Sequence, residues 1–223
     1  MKIFIDGRVL NTRRFSGIAE YARLLIKALL LGDSSNEYIL FNNSWHSPIN
    51  LNLDSHKNLK FVNYRVPNRI LDLTNYFFRV PKIDHRIKAD IFYSPHLNIL
   101  SFKEPKRHIL TVHDLSFMHF PQFFYWPQKL WHWRQAYARQ ISQAGQIIAV
   151  SDFTAQNILA TFKLPEAKVK RIYSGVNPFY KPLYNDQKFE EFKIKHNLNN
   201  RFLFYMGALE PRKNIVGIIR AFN

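Results

Sequence analysis

The chain contains no cysteine among its 223 residues. It can therefore form no disulfide bond and no metal site with cysteine ligands, which suits a reducing compartment. No stretch approaches the roughly 20 apolar residues that a membrane-spanning helix needs, because the apolar run Leu24–Leu31 is interrupted by Lys27. The strand-like run that follows Met1 is too short for the apolar core of a signal peptide. These absences predict a cytoplasmic protein.

Acidic residues are also scarce, with 16 Asp and Glu against 32 Lys and Arg, so the formal net charge is +16. Such an excess predicts anionic partners: lipid head groups, nucleic acid or acidic substrates. The sequence has no zinc-finger spacing, no RRM-type signature and no basic zipper. An anionic membrane surface, reached peripherally on the inner face, is therefore favoured over nucleic acid. A solvated basic surface is the alternative.

The hydrophobic content of 47% and the aromatic content of 16% indicate a folded core. The length fits one full domain and a remainder. Short apolar runs alternate with helical patterns, which is typical of a doubly wound α/β domain. The predicted strands are Lys2–Asp6, Glu37–Phe41, Leu59–Tyr64, Asp90–Tyr93, Arg107–Val112, Gln146–Val150, Lys168–Tyr173 and Phe202–Met206. Helices are predicted after several of them, at Ile70–Arg79, Pro127–Ala144, Asp152–Phe162 and Asp186–Asn197.

The segment Pro127–Ala144 is predicted as one amphipathic helix. Its apolar stripe contains Leu130, Trp133 and Tyr137, and Trp131 falls off the stripe. Tryptophan beside lysine and arginine suits a helix that lies in a membrane interface. A surface helix that packs its stripe on the sheet fits equally well and is the favoured interpretation.

Polar residues that could bind a ligand follow the ends of several predicted strands. Ser16 and Gly17 open the first helix, with Ser16 suited as its N-cap, but without the G-x-G-x-x-G pattern of dinucleotide sites. His96 and His113 each follow a strand end, where open α/β sheets bind their ligands. A lone histidine there is more often a structural hydrogen-bonding residue, and Asp114 could cap the next segment.

A second candidate site follows the predicted strand Phe202–Met206. Gly207 permits a tight turn, and the sequence E-P-R-K-N then leads into a helical pattern. Arg212 and Lys213 are predicted in the first helical turn, where two cations oppose the helix dipole unless an anion joins them. With backbone N–H groups pointing the same way, they predict a phosphate site. A solvated basic turn is the alternative.

Five motifs occur in the order found in one enzyme family. They are S-G-I at Ser16, T-V-H-D-L around His113, I-I-A-V-S-D-F-T around Ser151, Y-S-G-V-N around Gly175 and E-P-R-K-N around Lys213. Together they resemble the family 4 glycosyltransferases, retaining enzymes of the GT-B fold that use nucleotide sugars. The resemblance spans almost the whole chain, and the ordered set is more specific than any one motif.

The resemblance implies an α/β fold with two Rossmann-like parts. Residues 1–176 would form the N-terminal, acceptor-side α/β/α domain. Residues 177–223 would be a linker and the first helix, strand and helix of a truncated second domain that binds the nucleotide sugar. The family's pair of donor-side glutamates would lie beyond Asn223, so the chain by itself is expected to be inactive.

The resemblance also implies roles for particular residues. In relatives, the histidine at the position of His113 faces the donor sugar near the reacting carbon, which makes His113 the implied catalytic residue. Gly17 would lie against the donor phosphate, and Arg212 and Lys213 would hold the diphosphate. The residues implied to line the cleft near the donor sugar are Ser16 and Asp114.

The implied reaction moves a hexose from a nucleotide sugar to a hydroxyl group of a glycan or a lipid-linked acceptor, with retention. The E-P-R-K-N variant indicates a mannosyltransferase of surface polysaccharide assembly with GDP-mannose as donor. No metal and no cofactor besides the donor is expected. The rival hypothesis is a non-catalytic basic α/β module that binds an anionic membrane surface or nucleic acid.

Overall fold

The structure, a computed structural model, describes residues 1–11, 16–45, 56–177, 179–181, 187–198 and 202–222. These residues form two compact units, Met1–Gly175 and Val176–Asn223. Their boundary lies beside residue 176, where the sequence predicts the end of the first domain. The assignment of the second unit to a nucleotide-sugar domain stays a prediction, and part of that region, including residues 182–186 and 199–201, lies outside the described residues.

The first unit is built on a parallel sheet. Its strands are β1 (Lys2–Asp6), β2 (Glu37–Asn43), β3 (Leu59–Tyr64), β4 (Ile91–Ser94), β5 (His108–Val112), β6 (Gln146–Ala149) and β7 (Val169–Arg171). Their order in the sheet is β3-β2-β1-β4-β5-β6-β7, and every described pair is parallel. This is the α/β, Rossmann-like architecture predicted from the sequence.

Helices connect the strands of this unit. They are α1 (Gly17–Gly32), α2 (Asn68–Phe77), α3 (Ile83–Arg86), α4 (Ser116–His119), α5 (Trp126–Arg134), α6 (Tyr137–Gln143) and α7 (Asp152–Phe162). No helix within the described ranges is long and apolar enough to cross a membrane.

Strand β1 lies inside the sheet, between β2 and β4, and its alternate residues are buried on opposite faces. Phe4 is fully buried against the rings of Phe41 and Phe92, with centroids 5.5 and 5.2 Å away. Ile5 belongs to the core on the other face, which includes Ile26 of α1. A strand buried on both faces reads as a continuous apolar run, which explains why β1 is recognisable from its sequence.

The predicted helix Pro127–Ala144 is wrong as a single element. It consists of α5 and α6, separated at Ala136, whose φ of 47° and ψ of 47° are left-handed. The cause is the buried residue Gln135, whose backbone carbonyl accepts a hydrogen bond from Gln140 Nε2 at 2.7 Å. The α5 part of the predicted stripe, Leu130 and Trp133, is exposed. The α6 part, Tyr137 and Ile141, is buried in the core with sheet residues such as Leu110, as predicted.

The second unit contains α8 (Gln187–Lys195) and α9 (Ile215–Phe222). The predicted strand Phe202–Met206 is wrong, because no described residue pairs with it and a strand needs a neighbour for its backbone groups. Its side chains are exposed, with Phe204 at 76% and Met206 at 82%.

Arg212 and Lys213 also differ from the prediction in their local structure. They belong to a short 3-10 turn, Pro211–Lys213, and not to the first turn of α9. Asn214, with a φ of 48°, separates this turn from the helix. A left-handed residue cannot continue a right-handed helix, so the predicted helix start was placed too early.

A close chain crossing lies at Gly145, just before β6. Its N–H donates to the carbonyl oxygen of His108 at 2.9 Å, and a Cβ atom added there would overlap the carbonyl group of Lys106. We expect Gly145→Ala to lower the free energy of unfolding by about 3 kcal/mol. The clash is with the backbone of Lys106, which cannot move aside as the end of a flexible side chain can. Urea denaturation would measure the loss.

Gly32→Ala is the matched control for this substitution. A Cβ at Gly32, the last residue of α1, meets nothing within 4 Å. We expect this variant to keep its stability or to gain up to about 1 kcal/mol, because alanine loses less backbone entropy in a helix. Equal effects of the two substitutions would contradict a steric role for Gly145.

Candidate active site

His113 lies at the carboxyl edge of the sheet, directly after β5. Its Nε2 atom is 2.9 Å from the carbonyl oxygen of Pro95, which follows β4. The ring of Tyr21, one turn into α1, stands edge-on to the His113 ring at 5.0 Å. The Thr154 hydroxyl of α7 donates to the His113 carbonyl oxygen at 3.2 Å. His113 is therefore held in place by three segments: the loop after β4, helix α1 and helix α7.

These contacts determine the protonation state of His113. Burial lowers the pKa of His113 from its usual value, opposed by the Pro95 carbonyl and by the nearby carboxylate of Asp114. The ring is therefore neutral at pH 7. A carbonyl oxygen can only accept, so Nε2 carries the proton and Nδ1 is left as an acceptor. No described residue donates to Nδ1, which can therefore receive a hydroxyl group.

A second histidine, His96, lies beside the first. The two ring centroids are 6.1 Å apart, and His96 stacks on Trp131 of α5 at 6.0 Å with an interplanar angle of 12°. Burial lowers the pKa of His96 to about 3, and the nearby His113 and His132 add to the effect. Its Nδ1 atom is buried and has no hydrogen-bond partner in the described part of the chain.

His132 of α5 completes this group of neutral imidazoles. It stacks on Phe117 at 4.7 Å, and its Nδ1 atom is 2.7 Å from the hydroxyl oxygen of Tyr137. Burial lowers the pKa of His132 to about 4. From the sequence, His96 was a candidate only by its place at a strand end, and no role was predicted for Trp131 or His132. The signal for His96 was its place after a strand that neighbours β5.

A buried ion pair positions the loop that carries Pro95 and His96. Arg8 Nη2 lies 2.7 Å from Asp6 Oδ2, and both side chains are almost wholly buried. The same Nη2 donates to the carbonyl oxygen of Ile99 at 3.1 Å, while Gln135 Oε1 accepts from the Ile99 N–H at 2.7 Å. The carbonyl group of Ile99 is therefore held by Arg8, at the end of β1, and its N–H group by Gln135, at the break between α5 and α6.

The start of α1 lies at the same edge as His113. Ser16 occupies the N-cap position without a side-chain capping bond, and its carbonyl oxygen accepts from Glu20 N–H at 2.9 Å. Gly17 is exposed, and a Cβ there would meet nothing within 4 Å. Packing inside the described residues therefore gives no reason for a glycine at this position. The bare first turn leaves backbone N–H groups without intrahelical partners.

Asp114 is exposed and makes local contacts. Its Oδ1 atom accepts from the N–H and the hydroxyl of Ser116 at 2.9 and 2.7 Å. This capping of the turn before α4 is the alternative that the sequence analysis named. A place for Asp114 near the donor sugar stays a prediction.

Arg212 and Lys213 belong to the second unit. The Arg212 guanidinium lies 2.5 Å from the Glu210 carboxylate. Lys213 is exposed, its backbone N–H donates to the Glu210 carbonyl oxygen, and its ammonium group has no acidic partner among the described residues. Of the two cations, Lys213 is thus the one whose charge remains available to a phosphate, a role that stays a prediction.

The described residues of the first unit line at least two concave regions. One, of about 680 Å³, lies behind His132 and is lined by aromatic rings such as Tyr76, Phe117 and Trp133. The other, of about 760 Å³, lies at the amino ends of the strands and includes Lys2 and Arg107. Parallel sheets bind ligands at their carboxyl ends, so the first region belongs with the candidate site and the second does not. Within the described ranges, no three His, Asp or Glu side chains could hold a metal ion together.

Comparison with known proteins gives a consistent picture. Residues 16–178 match the family model described as Glycosyltransferase Family 4. The O-antigen chain mannosyltransferase B of Escherichia coli is 25% identical over 132 residues, which are 59% of this chain and 32% of that protein. The serotype-specific mannosyltransferase WbdA of Escherichia coli is 26% identical over 96 residues, or 41% of this chain and 12% of that protein. The chain thus spans a third or less of these curated relatives.

The fold comparison agrees with the sequence comparison. The crystal structure of Anabaena Alr3699/HepE in complex with UDP-glucose matches with a TM-score of 0.54 and 14% identity. The match covers 100% of this chain and 57% of that chain. It shows that the two proteins share the GT-B type of fold.

The ion pair beneath the site can be tested by removing one partner. We expect Arg8→Met to lower the free energy of unfolding by about 3–5 kcal/mol, because the Asp6 carboxylate would stay buried without a partner. We also expect faster solvent exchange of the His113 Nε2 proton in NMR spectra, because the Pro95 carbonyl would lose its support.

Arg23→Met is the matched control. Arg23 forms a surface pair with Glu20 in α1, with its side chain 42% exposed, and such pairs contribute about 0–1 kcal/mol. If the two variants were equally stable, or if His113 were unaffected by Arg8→Met, the positioning role of the buried pair would be refuted.

Proposed function

The chain belongs to glycosyltransferase family 4, and we propose that it takes part in moving mannose from GDP-mannose to a hydroxyl group of a glycan or lipid-linked acceptor, with retention of configuration. The observation that carries the proposal is the neutral His113 at the carboxyl edge of the sheet, with Nδ1 open to a sugar hydroxyl. Mannose is supported by the names of the Escherichia coli relatives. A nucleotide sugar is supported by the UDP-glucose bound to the Anabaena protein.

His113 would act by orienting the donor sugar. A sugar hydroxyl donates to Nδ1, while Nε2–H remains bonded to the Pro95 carbonyl oxygen. The edge-on contact with Tyr21 prevents the ring from turning away. A fixed hydrogen bond of this kind favours one orientation of the reacting carbon, and holding reactants in place accounts for a large share of catalysis. The contact is proposed to strengthen in the transition state.

The departing diphosphate requires positive charge. We propose that Arg212 and Lys213 supply it, and that the N–H groups at Gly17 bind phosphate oxygens at the start of the sixteen-residue helix α1. Arg212 would exchange its contact with Glu210 for the phosphate. These groups would act with no cofactor besides the donor itself.

The proposed setting is the cytoplasmic face of an anionic membrane, where surface polysaccharide is assembled. The O-antigen relative supports this polysaccharide role. The net charge of +16 supports attraction to an anionic surface.

The phosphate role predicts a loss of nucleotide affinity. Lys213→Ala is expected to weaken GDP binding by about 1.5–3 kcal/mol, the contribution of a charge-assisted hydrogen bond. Calorimetry on a version of the chain with a whole second domain would measure it. Lys195→Ala, at the end of α8, is the control and should bind GDP as the parent does. Unchanged affinity in Lys213→Ala would remove the proposed role.

The sugar contact predicts a different kinetic signature. In a version of the chain with a whole second domain, His113→Ala should cut kcat for mannosyl transfer by about a hundredfold. The Kd for GDP should change by less than about threefold, because the contact reaches sugar and not phosphate. His85→Ala, an exposed histidine of α3, is the control. Equal losses of turnover and GDP affinity would point to a folding role for His113 instead.

A further inference from the structure

The first unit has an exposed face made of aromatic and basic side chains. Trp126, Leu130 and Trp133 recur at helical spacing along one side of α5, and they are 74%, 39% and 53% exposed. A stripe that normally packs on a core therefore faces outward. The N–H of Tyr125 donates to Gln128 Oε1 at 2.9 Å, which fixes the first turn of the helix and hence the direction of Trp126.

The end of α2 continues this face. The Tyr76 ring contacts Trp133 at 4.5 Å and Phe77 at 4.9 Å. Arg139 donates to the carbonyl oxygens of Tyr76 and Asn75, both at 3.0 Å, which joins α2 firmly to α6. Phe78, the next residue, is 74% exposed. The outward side of α5 and the last turn of α2, with Phe77, Phe78 and Arg79, are called the aromatic face below.

The two segments that supply the aromatic face are basic. From Leu115 to Gly145 the sequence contains no Asp or Glu, and Lys129 and Arg139 lie beside Trp133. The stretch 73–83, around the end of α2, also lacks acids and contains Arg79 and Lys82. This composition is complementary to a surface that is apolar inside and anionic outside. Tryptophan side chains suit the head-group level of a bilayer, and lysine and arginine suit its phosphates.

We propose that the aromatic face lies on an anionic phospholipid bilayer, with Trp126, Leu130 and Trp133 at the level of the head groups. This inference deepens the proposed function, which names an anionic membrane as partner, and it rests on that proposal. The opposite side of α5 carries Trp131, which stacks on His96 beside His113. Helix α5 therefore contacts the bilayer on one side and the candidate active site on the other. A hydroxyl group of a lipid-linked acceptor in the bilayer would then lie close to His113.

The test compares paired aromatic substitutions in vesicle flotation. The parent chain should float with phosphatidylcholine vesicles that contain phosphatidylglycerol, and not with pure phosphatidylcholine. Trp126→Ala with Trp133→Ala should weaken binding at least about tenfold, because tryptophan contributes strongly at the interface. The control, Trp45→Ala with Phe153→Ala, removes two exposed aromatic residues elsewhere and should bind within about twofold of the parent. Equal losses in both pairs, or no loss in the first, would overturn the proposal.

A charge reversal tests the same surface independently. Lys129→Glu should weaken flotation more than Lys88→Glu, which lies near the amino ends of the strands, and the difference should shrink as salt rises. Brominated lipids should quench tryptophan fluorescence in the parent and less in the Trp126, Trp133 variant. Equal thermal unfolding temperatures would show that these surface variants fold.

Other occupants of the aromatic face would give distinct results. A second copy would appear as a concentration-dependent dimer that the Trp126, Trp133 variant loses, and single-stranded DNA would bind more tightly than the vesicles; either result overturns the proposal. Mannosyl transfer to a water-soluble acceptor, measured in a version of the chain with a whole second domain, should stay within about twofold in the single variant Trp126→Ala, because Trp126 does not line the concave region beside His132. Loss of membrane binding is thereby distinguished from failure of the proposed sugar transfer.

Discussion

The buried ion pair between Asp6 and Arg8 is the contact on which the candidate site depends. It forms where β1 ends, and Arg8 reaches across to the Ile99 carbonyl oxygen in the loop after β4. That loop supplies the Pro95 carbonyl, which in turn determines the His113 tautomer. A buried ion pair is not a strong source of net stability, because desolvation offsets much of the attraction between its charges. Its main contribution here is positional. It holds the loop after β4 at a fixed distance from the end of β1, and this places the Pro95 carbonyl that bonds to His113.

The chain is strongly basic, but the histidines of the candidate site are neutral. The chain carries a formal charge of +16, yet the edge near His113 is lined by imidazoles that are neutral at pH 7, since burial lowers the pKa values of His96, His113 and His132. Neutral rings with one donor and one acceptor match the hydroxyl groups of a sugar, which carry no charge. Arg8, a cation near His96 in the first unit, is buried and paired with Asp6. The phosphate role is proposed for other cations, Arg212 and Lys213. Neutral imidazoles are thus the groups proposed to bind the sugar, and cations are the groups proposed to bind phosphate.

The sequence predicted the elements that depend on local pattern. Leu59–Tyr64 and Asp152–Phe162 agree with the structure to the residue, because apolar periodicity and the Ser151 cap are local signals. His113 was identified through a motif at a strand end. The break at Ala136 could not be predicted, because its cause is the buried Gln135, which bonds to Asp72, 63 positions away. The stacking of His96 on Trp131 and the outward direction of the α5 stripe could not be predicted either. Periodicity shows that one side of a helix is apolar, but it does not show which residues, if any, cover that side. The predicted strand Phe202–Met206 failed for a related reason, because a strand exists only with a pairing partner.

The order of the strands has a consequence for how this sheet can be assembled during translation. β2 pairs with β1 and β3 with β2, after which β4 pairs with the other side of β1, and β5, β6 and β7 follow one beside another. Each described strand after β1 therefore finds a neighbour already synthesised when it leaves the ribosome, and no described strand has to be inserted between two others. The sheet can grow outward from β1 in the order of the chain, first in one direction and then in the other. One edge of β1 stays unpaired until β4 is made. From β5 on, each strand pairs with the strand made just before it, which limits the time for which apolar edges are exposed to misassembly.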